Sequence, residues 1–201
     1  ICLPGEKGNA RKGMVVMKPE NMSFEEAAAG VATGGITVLD VFRKASIRSG
    51  QKVLIYGASG SVGIFAVQLA KYSGAEVTGV CSTANLDLVK SMGADRLIDY
   101  TRESIADGGE FYDLVFDAVG KLSRSTGRKI LKKKGTYLNV NRDSGPGTSV
   151  TTKDLLFLKE LVEQGKLRTT IDRTYPIEQM IDAHRYVEKG HKKGHVVITL
   201  G

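Results

Sequence analysis

From Gly57 to Gly63 the chain reads Gly-Ala-Ser-Gly-Ser-Val-Gly, directly after the apolar run Val53-Leu54-Ile55. Residues without side chains at that density let main-chain N–H groups close on a ligand, and the ligand such a turn suits is an anion. A strand, a glycine-rich turn and a helix in that order cradle a dinucleotide pyrophosphate, the helix N-terminus adding partial positive charge. The frame here is Ala58-x-Gly60-x-x-Gly63, filled by Ser59, Ser61 and Val62. Gly60 is expected to let the backbone approach the pyrophosphate, and Gly63 to let the helix pack on the strand. Ala58, in place of a first glycine, is expected to widen the turn slightly. The pattern alone is weak; a strand before it, a helix after it and a βαβ unit closing at Cys81 give it weight.

About 20 positions past such a motif, NAD sites usually carry an acidic residue on the ribose. This chain has Cys81-Ser82-Thr83 there. No carboxylate at that place repels a 2′-phosphate, the Ser82 and Thr83 hydroxyls can donate to one, and Asn85 opens a helix facing the same way. NADPH is therefore favoured over NADH, although the same residues also suit a helix cap. No Ser-His-Asp, paired-carboxylate or metal-ligand constellation stands out, so no catalytic residue and no metal ligand is assigned. His184, His191 and His195 are widely placed. His184 is expected to pack, hydrogen-bonded, on an apolar helix face, and Asp113 and Asp117 to orient loops.

The elements that must position these residues alternate. Strands are expected at 52–56, 76–81, 96–99, 113–119, 136–140 and 167–171. Helices are expected at 61–73, 85–92, 123–133 and 151–164. That order predicts an α/β fold, a doubly wound parallel sheet of about six strands with helices on both faces. The helix 61–73 is apolar around most of its circumference and must be buried. Ser23-Phe24-Glu25-Glu26 opens a helix in the manner of a capping box. Met14 to Lys18 and Val196 to Leu200 read as flanking strands, Pro176 to Lys189 as a helix, and Asn141 to Ser149 as a flexible loop.

The chain has 201 residues, 24 glycines and a formal charge of +7. No apolar run is long enough to cross a membrane. The cysteines Cys2 and Cys81 suggest no disulfide framework, which points to a cytoplasmic protein. The densest basic run, Arg128 to Lys134, ends at Gly135 and reads as the last turn of a helix, where lysines suit the dipole. A nucleic-acid patch is disfavoured, because no aromatic residues interleave the basic ones.

The stretch SGQKVLIYGASGSVGIFAVQLAKYSGAEVTGVCSTANLDLVKSMGADRLIDY resembles the medium-chain dehydrogenase/reductase superfamily. Within it the similarity is to the zinc-independent NADPH:quinone oxidoreductases, the zeta-crystallin-like enzymes. KPENMSFEEAAAG and the block from Phe157 to Leu200 fit as well. The resemblance implies a barrel-like catalytic domain ahead of Ile1, so the chain is expected to be a fragment. Residues 1–22 would be a remnant of that domain, 23–172 the NADP-binding Rossmann domain, and 173–201 a helix and strand returning to the catalytic domain. It implies that Ala58 to Gly63 hold the pyrophosphate and that Ser82, Thr83 and Asn85 face the 2′-phosphate, with Tyr100 bordering it. Val119 and Gly120 would lie near the adenosine and its ribose, and Asn139, Val140 and Asn141 near the nicotinamide. The family's basic residue near the 2′-phosphate has no counterpart at Ala84, Leu86 or Asp87.

The activity so implied is NADPH-dependent hydride transfer to a quinone or an activated alkene (an enone) without zinc. The alternatives are a zinc-dependent alcohol dehydrogenase relative, a non-catalytic NADPH-binding sensor or scaffold, and RNA binding. No membrane partner is expected. A homo-oligomer is, through an edge exposed by the strand Val196 to Leu200.

Overall fold

A computed structural model of the protein describes residues 2–3, 14–107, 109–144 and 151–200. In chain order the elements are β1 (Cys2–Leu3), β2 (Met14–Val15), α1 (Phe24–Ala28), α2 (Ile36–Ala45), β3 (Lys52–Tyr56), α3 (Gly63–Tyr72), β4 (Glu76–Cys81), α4 (Leu86–Ser91) and β5 (Arg96–Asp99). They continue with β6 (Tyr112–Asp117), α5 (Arg124–Lys129), β7 (Leu131–Asn139), α6 (Val140–Asp143), α7 (Thr152–Glu163), β8 (Ile171–Pro176), α8 (Met180–Glu188) and β9 (His195–Thr199).

The central sheet is parallel, in the order β5-β4-β3-β6-β7. It has five strands, not about six. Residues 167–170 form no strand: Leu167 is a buried plug whose N–H donates back to Leu161 O. β8 starts at Ile171 and pairs parallel with β9 in a separate two-stranded sheet. β9 pairs with β8 on one side, and its other edge has no strand partner among the described residues. β1 and β2 pair antiparallel.

Side chains of β3 alternate across the sheet. Val53 and Ile55 enter the large cluster beneath α3, α4 and α7, while Leu54 joins the smaller cluster with Val80, Val115, Leu122 and Ile130. The centre of β3, Val53 to Ile55, is fully buried on both faces and can be apolar throughout. Gly63 to Ala70 of α3 are all buried. The turn Val31–Gly35 packs against α3 and α7 without side chains: a Cβ on Gly34 would stand 2.7 Å from Phe65, and one on Gly35 3.0 Å from Leu158. α1 begins in the expected capping box, Ser23 with Glu26.

The basic run behaves differently from its reading as a helix end. α5 stops at Lys129, and Lys132, Lys133 and Lys134 lie within β7. Only residues 141–144 of the expected flexible loop are described, the first three of them in α6; 145–149 lie outside the described residues.

Candidate dinucleotide site

The carboxyl ends of β3, β4, β5, β6 and β7 form one rim, and β3 and β6 flank the point where strand order reverses, the usual ligand crevice of such sheets. β3 ends at Tyr56, and Gly57 makes the tight turn at φ 77°, a left-handed conformation that L side chains rarely adopt. A Cβ there would also meet Val119 at 2.5 Å. The N–H groups of Gly57 and Ala58 both donate to Val80 O at 3.0 Å. Ala58 is wholly buried. It is therefore a wedge at the end of β3 against β4, and Gly57 turns the chain one residue earlier.

The other two glycines differ from each other. A Cβ on Gly63 would stand 2.1 Å from Gly57 O, so helix and turn close there without a side chain. At Gly60 the nearest atom would be 3.4 Å away, leaving a bare mouth. The main-chain N–H groups of Ser59, Ser61, Val62 and Gly63 find no acceptor among the described residues. Four unsatisfied donors at a helix N-terminus are what a pyrophosphate needs.

At the end of β4, the Asn85 side-chain amide donates to Ser59 Oγ at 3.1 Å and to Ser82 Oγ at 3.2 Å. Asn85 is the first residue outside α4, but its side chain caps nothing; its tie to Ser59 joins the two loops instead. Its Oδ1 is buried without a donor, a place for a ribose hydroxyl. Thr83 corrects the sequence reading. Its hydroxyl donates to Asp99, which Thr101 also bonds at 2.6 Å. Those hydroxyls hold the Asp99 carboxyl below its usual range, against a smaller opposing effect of burial. A carboxylate therefore does stand beside the second loop, contributed by β5, and the Thr83 proton is not free for a phosphate. Tyr100 is half-exposed next to it, its ring 6.3 Å from that of Tyr56.

The basic residues missing after Thr83 arrive from the far end of the chain. Before β9, residues 191–194 lie across the glycine turn as a strap. Gly194 N–H donates to Ser59 O at 2.9 Å, and Ser61 Oγ to Gly194 O at 2.9 Å. Lys192 Nζ bonds Ser61 Oγ and, at 2.8 Å, Gly194 O. Lys193 Nζ reaches Ala84 O at 3.3 Å. Asp172 of β8 anchors the strap, accepting from Lys193 N–H at 2.9 Å and from the Tyr186 hydroxyl at 2.6 Å. Burial pulls the Lys192 ammonium pKa below its usual value. Nothing local marks these lysines, since the contact spans 131 residues.

Asp117, fully buried at the end of β6, organises the other half of the rim. It accepts from the N–H groups of Val119, Gly120 and Leu122 and from Asn139 Nδ2, at 2.8 to 3.2 Å. The Asn139 amide is thereby committed within the protein, its oxygen accepting from Asn141 N–H. A Cβ on Gly120 would meet Asn141 Nδ2 at 2.0 Å, so Val119 and Gly120 adjoin the segment Asn139, Val140 and Asn141. Asp113, by contrast, sits at the amino end of the sheet.

The histidines do not converge. His184 and His191 are exposed, which corrects the expectation of a packed His184. His195 packs its ring against Gly30 and, at 5.6 Å, against Phe65. Its Nδ1 is buried without a partner, and desolvation, aided by Lys192, pulls its pKa down to about 4. Cys81 is buried and its thiol is pushed up to about 11 by desolvation. No group of three or more His, Cys, Asp or Glu among the described residues could hold a metal.

A family model described as "Zinc-binding dehydrogenase" matches residues 61–183. A 2-methylene-furan-3-one reductase of Solanum lycopersicum is 36% identical over 92% of this chain and 49% of its own length. An NADPH-dependent alkenal/one oxidoreductase of Arabidopsis thaliana is 34% identical over 92% of this chain and 50% of its own. The chain thus spans about half the length of these curated relatives. A solved quinone oxidoreductase from Coxiella burnetii superposes with a TM-score of 0.80, at 30% identity, over 91% of this chain and 63% of that one. An NAD-dependent alcohol dehydrogenase superposes at 0.81 with 28% identity, over 92% and 62%. The described residues bring no zinc ligand set to match the family's title, yet fold and relatives agree, and this chain belongs to the zinc-binding dehydrogenase family of medium-chain dehydrogenases/reductases.

Proposed function

We propose that this chain is the dinucleotide-binding part of an NADPH-dependent reductase acting on a quinone or an activated alkene. The observation that carries the reading is the bare mouth at Gly60, with four unsatisfied N–H groups beside it. The bound cofactor would supply a hydride from its nicotinamide. The protein's part is to hold and orient: Ser59, Ser61, Val62 and Gly63 on the pyrophosphate, and Ser82 and Asn85 on the adenosine ribose. The names of the plant relatives support a carbonyl-conjugated alkene as acceptor.

NADPH rather than NADH is supported by Lys193, whose ammonium lies at Ala84 beside the second loop. Asp99 and Thr83 favour the opposite choice, and an NAD-dependent alcohol dehydrogenase is among the structural neighbours. Lys193 has the advantage because its half-buried ammonium, held among the described residues only by Ala84 O, can answer a phosphate directly, whereas the Asp99 carboxylate is buried and already bonded by Thr83 and Thr101. Titrating NADPH and NADH into the protein tests this. Lys193→Ala should weaken NADPH about tenfold, the worth of one charge-assisted contact, and leave NADH unchanged. Equal loss for both nucleotides would place Lys193 away from the 2′-phosphate.

The helix α8 exposes Met180, Ile181 and Val187 on one side. We read residues 173–201 as the unit that faces a catalytic domain, and 23–172 as the cofactor domain. No described helix is long and apolar enough to cross a membrane. Relatives named chloroplastic and mitochondrial match alongside the others, so the cytoplasm is not singled out as the compartment.

A further inference from the structure

The chain's charge is concentrated in one place. Residues 121–142 hold eight Lys and Arg and no Asp or Glu. Taking those 8 from the total of 29 leaves 21 basic residues against 22 acidic ones in the rest of the chain. The net charge of +7 therefore traces to residues 121–142, the segment that carries α5 and the edge strand β7.

Two of the eight are neutralised: Lys132 by Asp113 at 2.7 Å, and Arg142 by Asp143 at 2.6 Å. The other six, Lys121, Arg124, Arg128, Lys129, Lys133 and Lys134, are exposed, and none makes an ion pair among the described residues. The β6–β7 ladder steps from Tyr112↔Leu131 to Leu114↔Thr136, so Lys132 to Gly135 stand out from the sheet as a bulge. Edge lysines discourage strand pairing, which would account for Lys133 and Lys134 alone. The helix dipole suits Arg128 and Lys129 in the last turn of α5. It opposes Lys121 and Arg124, which sit at the positive end beside the cap Ser123. Cations placed against the dipole and left unpaired point to a negative partner outside the chain.

We propose that this face docks on an anionic lipid surface. Tyr137 is the one aromatic side chain in residues 121–142. It is tucked under Gly127, where a Cβ would meet its ring at 2.5 Å, and its hydroxyl is bonded to Leu122 O. Residues 121–142 thus offer no free ring on which a base could stack. α5, six residues long, is too short to read a groove. A protruding bulge with diffuse, lysine-rich charge suits a plane of headgroups, each basic residue adding attraction near the surface. Docking of this kind is peripheral and needs no spanning helix.

The test is co-sedimentation of the full chain with vesicles of phosphatidylcholine alone or mixed with phosphatidylserine. The chain should pellet with the mixed vesicles only, and leave them as salt rises and the screening length shrinks to about 3 Å at 1 M. Lys133→Gln and Lys134→Gln, exposed and safe for folding, should each weaken binding about fivefold. The quadruple variant R124E/R128E/K133E/K134E should abolish it while the melting profile stays cooperative. Absence of binding to the mixed vesicles at low salt, or binding that the Gln variants leave unchanged, overturns the proposal. So does single-stranded RNA that displaces the chain from vesicles of equal total charge, which would make this a nucleic-acid surface.

Discussion

The two ends of the central sheet treat their polar groups in opposite ways. At the amino end three carboxylates are spent internally. Glu110 pairs with Lys52 and Arg96, Asp113 accepts from Lys52 N–H and Lys132, and Asp95 accepts from Val77 N–H and Lys71. At the carboxyl end Asp117 and Asp99 satisfy some donors, yet four N–H groups of the glycine turn and Asn85 Oδ1 stay open. Strand ends of one sheet have similar backbone needs, so the difference is what the proposed dinucleotide site requires: donors left for a ligand at one end, and hydrogen bonding completed by the protein at the other.

The largest effect should come from removing the brace of the open end. Asp117→Ala strands the N–H groups of Val119, Gly120 and Leu122 and should cost about 3–5 kcal/mol in chemical denaturation. A loss below about 1 kcal/mol would mean that the loop is not held by that carboxylate. Next comes Gly60→Val, which fills the bare mouth. It should reduce dinucleotide affinity by about a hundredfold, roughly 2.7 kcal/mol, with stability nearly unchanged. Unaltered affinity would remove the turn from the binding site.

The third effect is an acid limb from His195. Its folded pKa is about 4 against 6.5 for a free imidazole. Between those values the unfolded chain binds the extra proton, so stability is full above pH 6.5 and falls as pH drops through that window. Because the ring is partly open, the loss should be about 1 kcal/mol by pH 5. His195→Phe, which keeps the ring, should flatten that slope in melts recorded across the range. The smallest effect belongs to the closed end. Glu110→Gln leaves Lys52 and Arg96 half in water and should cost less than about 1 kcal/mol. A larger loss would show that the amino end carries more of the fold than its exposure suggests.

Much of this contrast is readable in the sequence alone. β3, β4 and β5 occupy the expected residues, 52–56, 76–81 and 96–99, because their apolar centres mark the buried strands. Gly63 is legible as a packing position and Gly60 as an open one, since a missing side chain has few other uses in a βα turn. Lys132 to Lys134 misled, because a lysine run before glycine suits a helix end and a bulged edge equally well. Leu167 misled as well: one apolar residue looks the same in a strand and as a plug under α7. Asp172, Lys192, Lys193 and the Asp99–Thr83 bond left no local trace at all. Their partners lie across the fold, and only tertiary structure brings them to the turn.

The strap has a practical consequence for anyone wishing to exchange nucleotide preference between enzymes of this type. Gly194, at φ 60° with Thr170 O where a Cβ would stand, leaves little freedom in how residues 191–194 cross the cradle. A transplant of residues 57–87 alone would carry the recognition loops away from the chain terminus that clasps them. Chimeras that move both segments together should keep their discrimination, and those cut between them should lose it.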